Sequence, residues 1–279
     1  MIDRSRFGLN RIMCPTLDME EFFQLTNELG LNWVELRNDI NGGKIIDFYS
    51  IQEIRNLAKQ YNIQICSINA LQRFNNLQEI DKIKEELNYL LTLAKNIYCQ
   101  AIVLCPMNEE NDHRCPEEQY HETIYILKEL INVFEDFGIM GYIEPLGFTT
   151  SSLSSVVSAM KVMKEVGYKG YKIVYDTFHH TIGPDDLNLL AREYDIQFTG
   201  LMHLSSITTE IPLNQYRDEH RNMDFSRDRI NNKEQVDFFV NRGYQGVISF
   251  EPFTEEIQKL DKKQLKAKVN QAIDYLNLK

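Results

Sequence analysis

Apolar positions along the chain recur at two spacings. In three segments they fall three or four residues apart: Met19, Phe22, Phe23, Thr26 and Leu29; Ile124, Leu127, Ile131 and Phe134; Leu153, Val156, Met160 and Met163. That period predicts helices buried on one face. Between such segments lie short apolar runs, among them IQICSIN at 63–69 and AIVLCP at 101–106. Continuous rather than alternating, they predict parallel strands covered by helices. The two patterns are joined in a repeated way: Gly30, Gly138, Gly167 and Gly243 each close a helical stretch just before a strand-like one, as helix C-cap glycines do. Asp18, with Glu21 three residues on, forms the capping pair that opens the first helix.

Eight strand-like runs emerge, near 6–10, 32–37, 63–69, 101–105, 141–145, 171–176, 198–204 and 246–251, and a last helical pattern extends from Glu255 to Leu278. Eight β-then-α units predict a (β/α)8 barrel, the TIM-barrel architecture, with an open doubly wound sheet as the second option. No GxGxxG or GxxxxGK[ST] loop supports a nucleotide-binding version of the latter.

The 279 residues, 43% of them hydrophobic, suit one closed barrel, so residues 1–279 are expected to form a single domain. A formal charge of −11 opposes binding to nucleic acid or anionic membranes. The opening MIDRSRFGLNRIM lacks the apolar segment of a signal peptide, no run has the roughly 18 apolar residues of a spanning helix, and a cytoplasmic location is expected. Five cysteines without CxxC spacing suggest buried thiols, not a disulfide framework or zinc knuckle.

Parallel barrels carry their chemistry at the C-terminal ends of strands. The fifth run ends YIEP at Glu144, the sixth VYD at Asp176, the seventh LMH at His203 and the eighth SFEP at Glu251. Three carboxylates and one imidazole on consecutive strands, about 4.8 Å apart, can converge on one divalent cation of the Mn, Mg, Co or Zn kind. One acidic residue at a strand end is more commonly a helix cap or a solvated loop residue, so the weight lies on the set. Strands two and three end in Glu35 and Arg37 and in Asn69 and Arg73; Glu35, Asn69 and Arg73 are candidate substrate contacts.

After Asp176 come His179 and His180, either able to bind substrate or to hydrogen-bond a metal ligand, His179 with the stronger claim. The interval from His203 to Glu251 is longer than those between the preceding ligands, which marks an enlarged loop at about 205–230 over the mouth. Within it RDEHR supplies Arg217, His220 and Arg221, with Arg221 the preferred substrate contact. Phe74, Phe178 and Phe253 can exclude water from the mouth or simply pack.

These residues resemble the xylose-isomerase-like barrel superfamily of sugar isomerases and epimerases. The stretches INALQRFNN, YIEPLGF, VYDTFHH, DEHR and ISFEPF are most similar to inosose (2-keto-myo-inositol) isomerases of inositol catabolism, and the resemblance covers nearly the whole chain. One departure is NMDFSRDR after DEHR, where many relatives have a glycine-containing WPGxG-like turn. The resemblance implies metal binding by Glu144, Asp176, His203 and Glu251, with His179 and Arg221 on the substrate.

The implied reaction removes a proton beside a ketone carbonyl of a polyol-derived substrate. A divalent ion stabilises the resulting enediolate as a Lewis acid, and Glu144 and Glu251 are the catalytic acid-base pair. Ketose 3-epimerases, hydroxypyruvate isomerases and inosose dehydratases share the ligand pattern, so lyase chemistry and other α-hydroxyketones stay open. A phosphodiester hydrolase on the same barrel would need more strand-end histidines. A non-catalytic sugar-binding barrel would not need four ligands.

Overall fold

The computed structural model describes residues 1–278; Lys279, the last residue of the expected domain, lies outside them. Ten strands form: β1 (Phe7–Asn10), β2 (Trp33–Arg37), β3 (Gln64–Leu71), β4 (Ala101–Leu104), β5 (Met140–Ile143), β6 (Tyr171–Asp176), β7 (Thr199–Leu204), β8 (Ser206–Ile207), β9 (Arg221–Asn222) and β10 (Val247–Phe250). Eight of them close a parallel barrel in the order β1-β10-β7-β6-β5-β4-β3-β2. β8 and β9 pair antiparallel outside it, tying the start of the enlarged loop to Arg221–Asn222 farther along it.

The helices are α1 (Met19–Glu28), α2 (Ile51–Gln60), α3 (Ile80–Asn96), α4 (Pro116–Phe137), α5 (Val156–Val166), α6 (Thr177–Ile182), α7 (Leu187–Glu193), α8 (Asn232–Asn241), α9 (Glu255–Gln258) and α10 (Lys262–Leu276). The Asp18–Glu21 capping box opens α1 as expected. α4 and α5 end on Gly138 and Gly167 at φ 67° and 75°, the left-handed conformation that glycine adopts without a Cβ penalty. The long terminal helix expected from Glu255 is instead broken. Asp261 accepts a hydrogen bond from the Gln264 amide and starts α10 afresh, because this capping box competes with helix continuation. No helix among the described residues is long and apolar enough to cross a membrane.

Strand side chains alternate between two cores. Ile102, Leu104, Ile143, Ile173, Tyr175, Met202, Leu204, Ile248 and Phe250 face the helices in the larger core. Ala101, Val103, Cys105, Tyr142, Val174 and Leu201 fill the barrel interior. The same alternation carries the inner face on to the strand ends: Tyr142 is two residues before Glu144, Val174 before Asp176, and Leu201 before His203. The apolar interior therefore forms a floor beneath the polar side chains at the C-terminal rim.

Candidate metal centre

Glu144, Asp176, His203 and Glu251 each point one ligand atom inward, and these four atoms lie within 4.8 Å of one another. All four side chains are buried. His203 Nδ1 is 2.9 Å from Glu144 Oε1, 3.2 Å from Glu251 Oε2 and 4.0 Å from Asp176 Oδ2.

Each ligand is fixed by a different local device. Asp176 serves as helix cap and candidate ligand together: its Oδ1 accepts from the Phe178 and His179 amides at the start of α6, at 2.7 and 3.0 Å, while its Oδ2 faces the cluster and accepts from Arg221 Nη2. Glu144 Oε2 faces the Cys105 thiol at 3.7 Å, leaving Oε1 beside His203. Glu251 Oε1 accepts from Asn10 and Arg37, at 3.0 and 2.7 Å, and its Oε2 accepts from Arg221 at 2.8 Å. His203 Nε2 contacts Glu35 Oε2 at 2.9 Å. That oxygen also accepts from Ser67 and Asn69, at 2.6 and 2.9 Å. A carboxylate on Nε2 orients the ring and frees Nδ1 for a metal.

Burial disfavours the charged forms of His203, Glu251 and Glu35, and their neighbours overturn it. Burial alone would push the His203 pKa down; Glu251, Glu35 and Glu144 hold it well above the usual histidine value. Burial likewise opposes ionisation of Glu251, but His203, Arg221 and Arg37 keep its carboxyl well below the usual range. Glu35 is lowered in the same way, with His203 outweighing its burial.

The donor set fits a divalent ion. Four buried carboxylates, Glu35, Glu144, Asp176 and Glu251, face two buried guanidinium groups, Arg37 and Arg221. Two negative charges remain, and one dication balances them when His203 is neutral. Oxygen-rich ligands with one imidazole suit Mn, Mg, Co or Zn.

The candidate substrate contacts fall into three positions. His179, Asn69, Arg73 and Arg221 line a cavity of about 370 Å³ that also reaches Glu144 and Glu251. His179 Nδ1 accepts from the Gly147 amide at 3.3 Å, which puts the ring proton on Nε2. Arg73 stands at the rim, half-exposed and paired with Glu79 and Glu109. Arg221 does not reach out from its loop as a free substrate clamp: it is buried against Asp176 and Glu251, between Phe178 and Phe253. Glu35 is fully buried beneath His203, outside the residues that line the cavity, because inward-facing β2 positions two residues below the rim meet the opposite strand. His180 packs behind the site on Tyr175. Of the three aromatics, Phe253 lines the cavity, while Phe74 and Phe178 are wholly buried.

Asn10 and Arg37, given no role from sequence, are both anchors of Glu251. Asn10 closes β1 as Glu144 follows β5, so the strand-end rule applied to the first strand finds it. Cys105 carried no signal beyond being one residue past β4.

Comparison with known proteins gives a consistent lineage. A profile described as xylose isomerase-like TIM barrel matches residues 23–278. The inosose isomerase of Halalkalibacterium halodurans is 23% identical over 234 residues, 83% of this chain and 81% of that protein. A crystal structure of a xylose isomerase domain containing protein from Salmonella typhimurium superposes with a TM-score of 0.93 at 34% identity, covering 100% of this chain and 99% of the other. The IOLI protein, crystallised with a zinc atom, gives 0.88 at 20% identity over 97% and 98% of the two chains. The chain described here belongs to the xylose isomerase-like TIM barrel family.

Proposed function

We propose that this protein is a divalent-metal-dependent isomerase of a polyhydroxylated, uncharged ketone, with inosose the preferred substrate. The observation that carries the reading is the convergence of Glu144, Asp176, His203 and Glu251 at the strand ends, with Glu144 and Glu251 lining a cavity of about 370 Å³. The similarity to inosose isomerases supports the substrate, and the zinc reported in the IOLI structure supports the cofactor class.

When bound by these four side chains, a divalent ion supplies Lewis-acid stabilisation of the negative charge that develops on the ketone oxygen. The chain's own groups do the rest. Glu144, bonded to no arginine, removes the proton from the carbon beside the carbonyl. Glu251, held ionised by Arg37 and Arg221, takes up the proton of the adjacent hydroxyl and delivers it to the former carbonyl carbon, and Glu144 passes its own proton to the former ketone oxygen. Acid-base catalysis of this kind contributes roughly 10²- to 10⁴-fold. His179 donates from Nε2 to a substrate oxygen. Phe253, stacked under the guanidinium groups of Arg37 and Arg221, shields the site from water, which strengthens the electrostatic contacts.

Charge pairing supports a neutral substrate. Arg37, Arg73 and Arg221 line the cavity, and each is already matched by carboxylates: Arg37 by Asp39 and Glu251, Arg73 by Glu79 and Glu109, Arg221 by Asp176, Glu251 and Asp218. Among the described residues no unpaired guanidinium lines this cavity to select a phosphate or carboxylate.

The test is turnover of inosose by metal-supplemented protein, with the product identified by NMR. The expected result is an isomeric inosose, with activity lost in Glu144→Gln and Glu251→Gln that fold normally. A conjugated enone as main product would make the protein a dehydratase, and near-full activity in either variant would overturn the acid-base pair.

A further inference from the structure

A second cavity of about 670 Å³ opens beside the first and shares Asn108, Phe148 and Asp218 with it. Its inner wall is the β5–α5 loop, Gly147 to Thr150, and its outer wall is the enlarged loop from Leu213 to Glu219. The proposed chemistry at the metal ligands does not use this space.

Its lining has the character of a site for a hydroxylated ring. Phe148 and Tyr216 supply apolar faces, and Asn108, Thr149, Asn214 and Arg217 supply hydrogen-bonding groups around them. Arg217 differs from the three arginines of the first cavity. Its Nη1 donates to the Asn214 and Tyr216 carbonyls, at 2.9 and 2.7 Å, which holds the guanidinium 6.0 Å over the Phe148 ring. Among the described residues no carboxylate pairs with it, so its remaining N–H groups are available. Glu110, Asp218 and Glu219 make the surrounding wall acidic, which disfavours an anionic ligand and favours hydroxyl groups, able both to donate and to accept. Phe148 in turn packs edge-on against His179, ring centroids 5.2 Å apart. One of the three residues the cavities share, Phe148, is thus in contact with the proposed substrate-binding histidine.

We propose that this cavity is a second sugar subsite, so that the substrate is a ketone unit carrying a further hydroxylated ring, as in a glycosylated polyol-ketone. This rests on the proposed isomerase reading for the ketone end. It also gives the enlarged loop a purpose: it builds the outer wall of the subsite.

The test is binding, measured by calorimetry on the Mn²⁺-loaded full chain, of fructose against two glycosyl-fructoses, lactulose and isomaltulose. The account expects at least one disaccharide to bind about tenfold or more tighter than fructose. Arg217→Ala, which removes the free guanidinium, and Thr149→Trp, which fills the cavity, are each expected to bring that ratio near one. Equal affinities in the unmodified protein, no binding of either disaccharide, or an advantage that survives both variants would overturn the subsite. If inosose is isomerised while neither disaccharide gains affinity, only the subsite is wrong. If the disaccharide advantage holds and is lost in both variants while neither inosose nor either disaccharide is isomerised, the subsite stands and the isomerase reading falls.

Discussion

Glu35→Gln separates orientation of His203 from packing beneath it. Glu35 is fully buried, and its Oε2 accepts three hydrogen bonds, from Ser67, Asn69 and His203. Its Oε1 has no hydrogen-bond partner. Glutamine can therefore keep the three bonds with its amide oxygen and place its NH₂ where no donor competes, so the fold is retained. What changes is charge: the imidazole loses the carboxylate that fixes its tautomer and raises its basicity, and the centre loses one of its buried negative charges. Both effects weaken cation binding. Loss of such a supporting partner costs 10- to 100-fold in metal affinity, about 1.4 to 2.7 kcal/mol. Competition of Mn²⁺ or Zn²⁺ against a chromophoric chelator measures it, with far-ultraviolet circular dichroism as the check on folding. A variant that folds and binds metal within twofold of the unmodified protein would refute the reasoning, and Glu35 would be a packing residue only.

Asp176→Asn divides the two duties of that side chain. Asparagine caps α6 as well as aspartate does but removes one of the carboxylates paired with buried Arg221, so stability should fall by up to about 3 kcal/mol through that pair while metal affinity falls by two orders of magnitude or more; unchanged metal affinity in the folded variant would contradict the assignment. In Gly147→Ala the added methyl would overlap the His179 carbonyl oxygen; overpacking of this kind costs about 1 to 3 kcal/mol, and the melting temperature and KM should both worsen, whereas an unchanged KM would mean that His179 does not bind substrate. His180 gives an acid-sensitive term: burial pushes its imidazole from 6.5 down to about 4, against the pull of Asp185 and Asp186. Because the folded pKa lies below the unfolded one, the unfolded chain binds the proton first as pH falls, so stability is lost between about 6.5 and about 4, up to about 3 kcal/mol. Denaturant melts of His180→Phe across that range should fall less steeply than those of the unmodified protein; parallel curves would remove His180 as the cause.

How much of this was legible in the sequence differs by level. The eight barrel strands and the helices between them follow from periodicity, because a parallel sheet covered on its outer face leaves long apolar runs, and helices with one buried face leave a regular stripe. The four ligands are legible for a related reason: a strand that is apolar to its last turn and then ends in Glu, Asp or His exposes that residue at the rim. What the sequence conceals is depth and partnership. Glu35 and Arg37 sit two residues apart on one strand, and only closure of the barrel puts the first beneath His203 and the second against Glu251. Arg221 reads as a loop arginine, but the β8–β9 pairing draws it down onto Asp176 and Glu251. The break before α10 was foreshadowed by Asp261 and Gln264, a weak local signal inside a strong apolar period.

The central claim is that four side chains remote in sequence hold one divalent ion. An anomalous difference map from crystals grown with Mn²⁺ tests it directly. The account predicts a single strong peak within bonding distance of Glu144, Asp176, His203 Nδ1 and Glu251; a peak elsewhere, or an empty cluster bridged by Arg221 at saturating Mn²⁺, would contradict it.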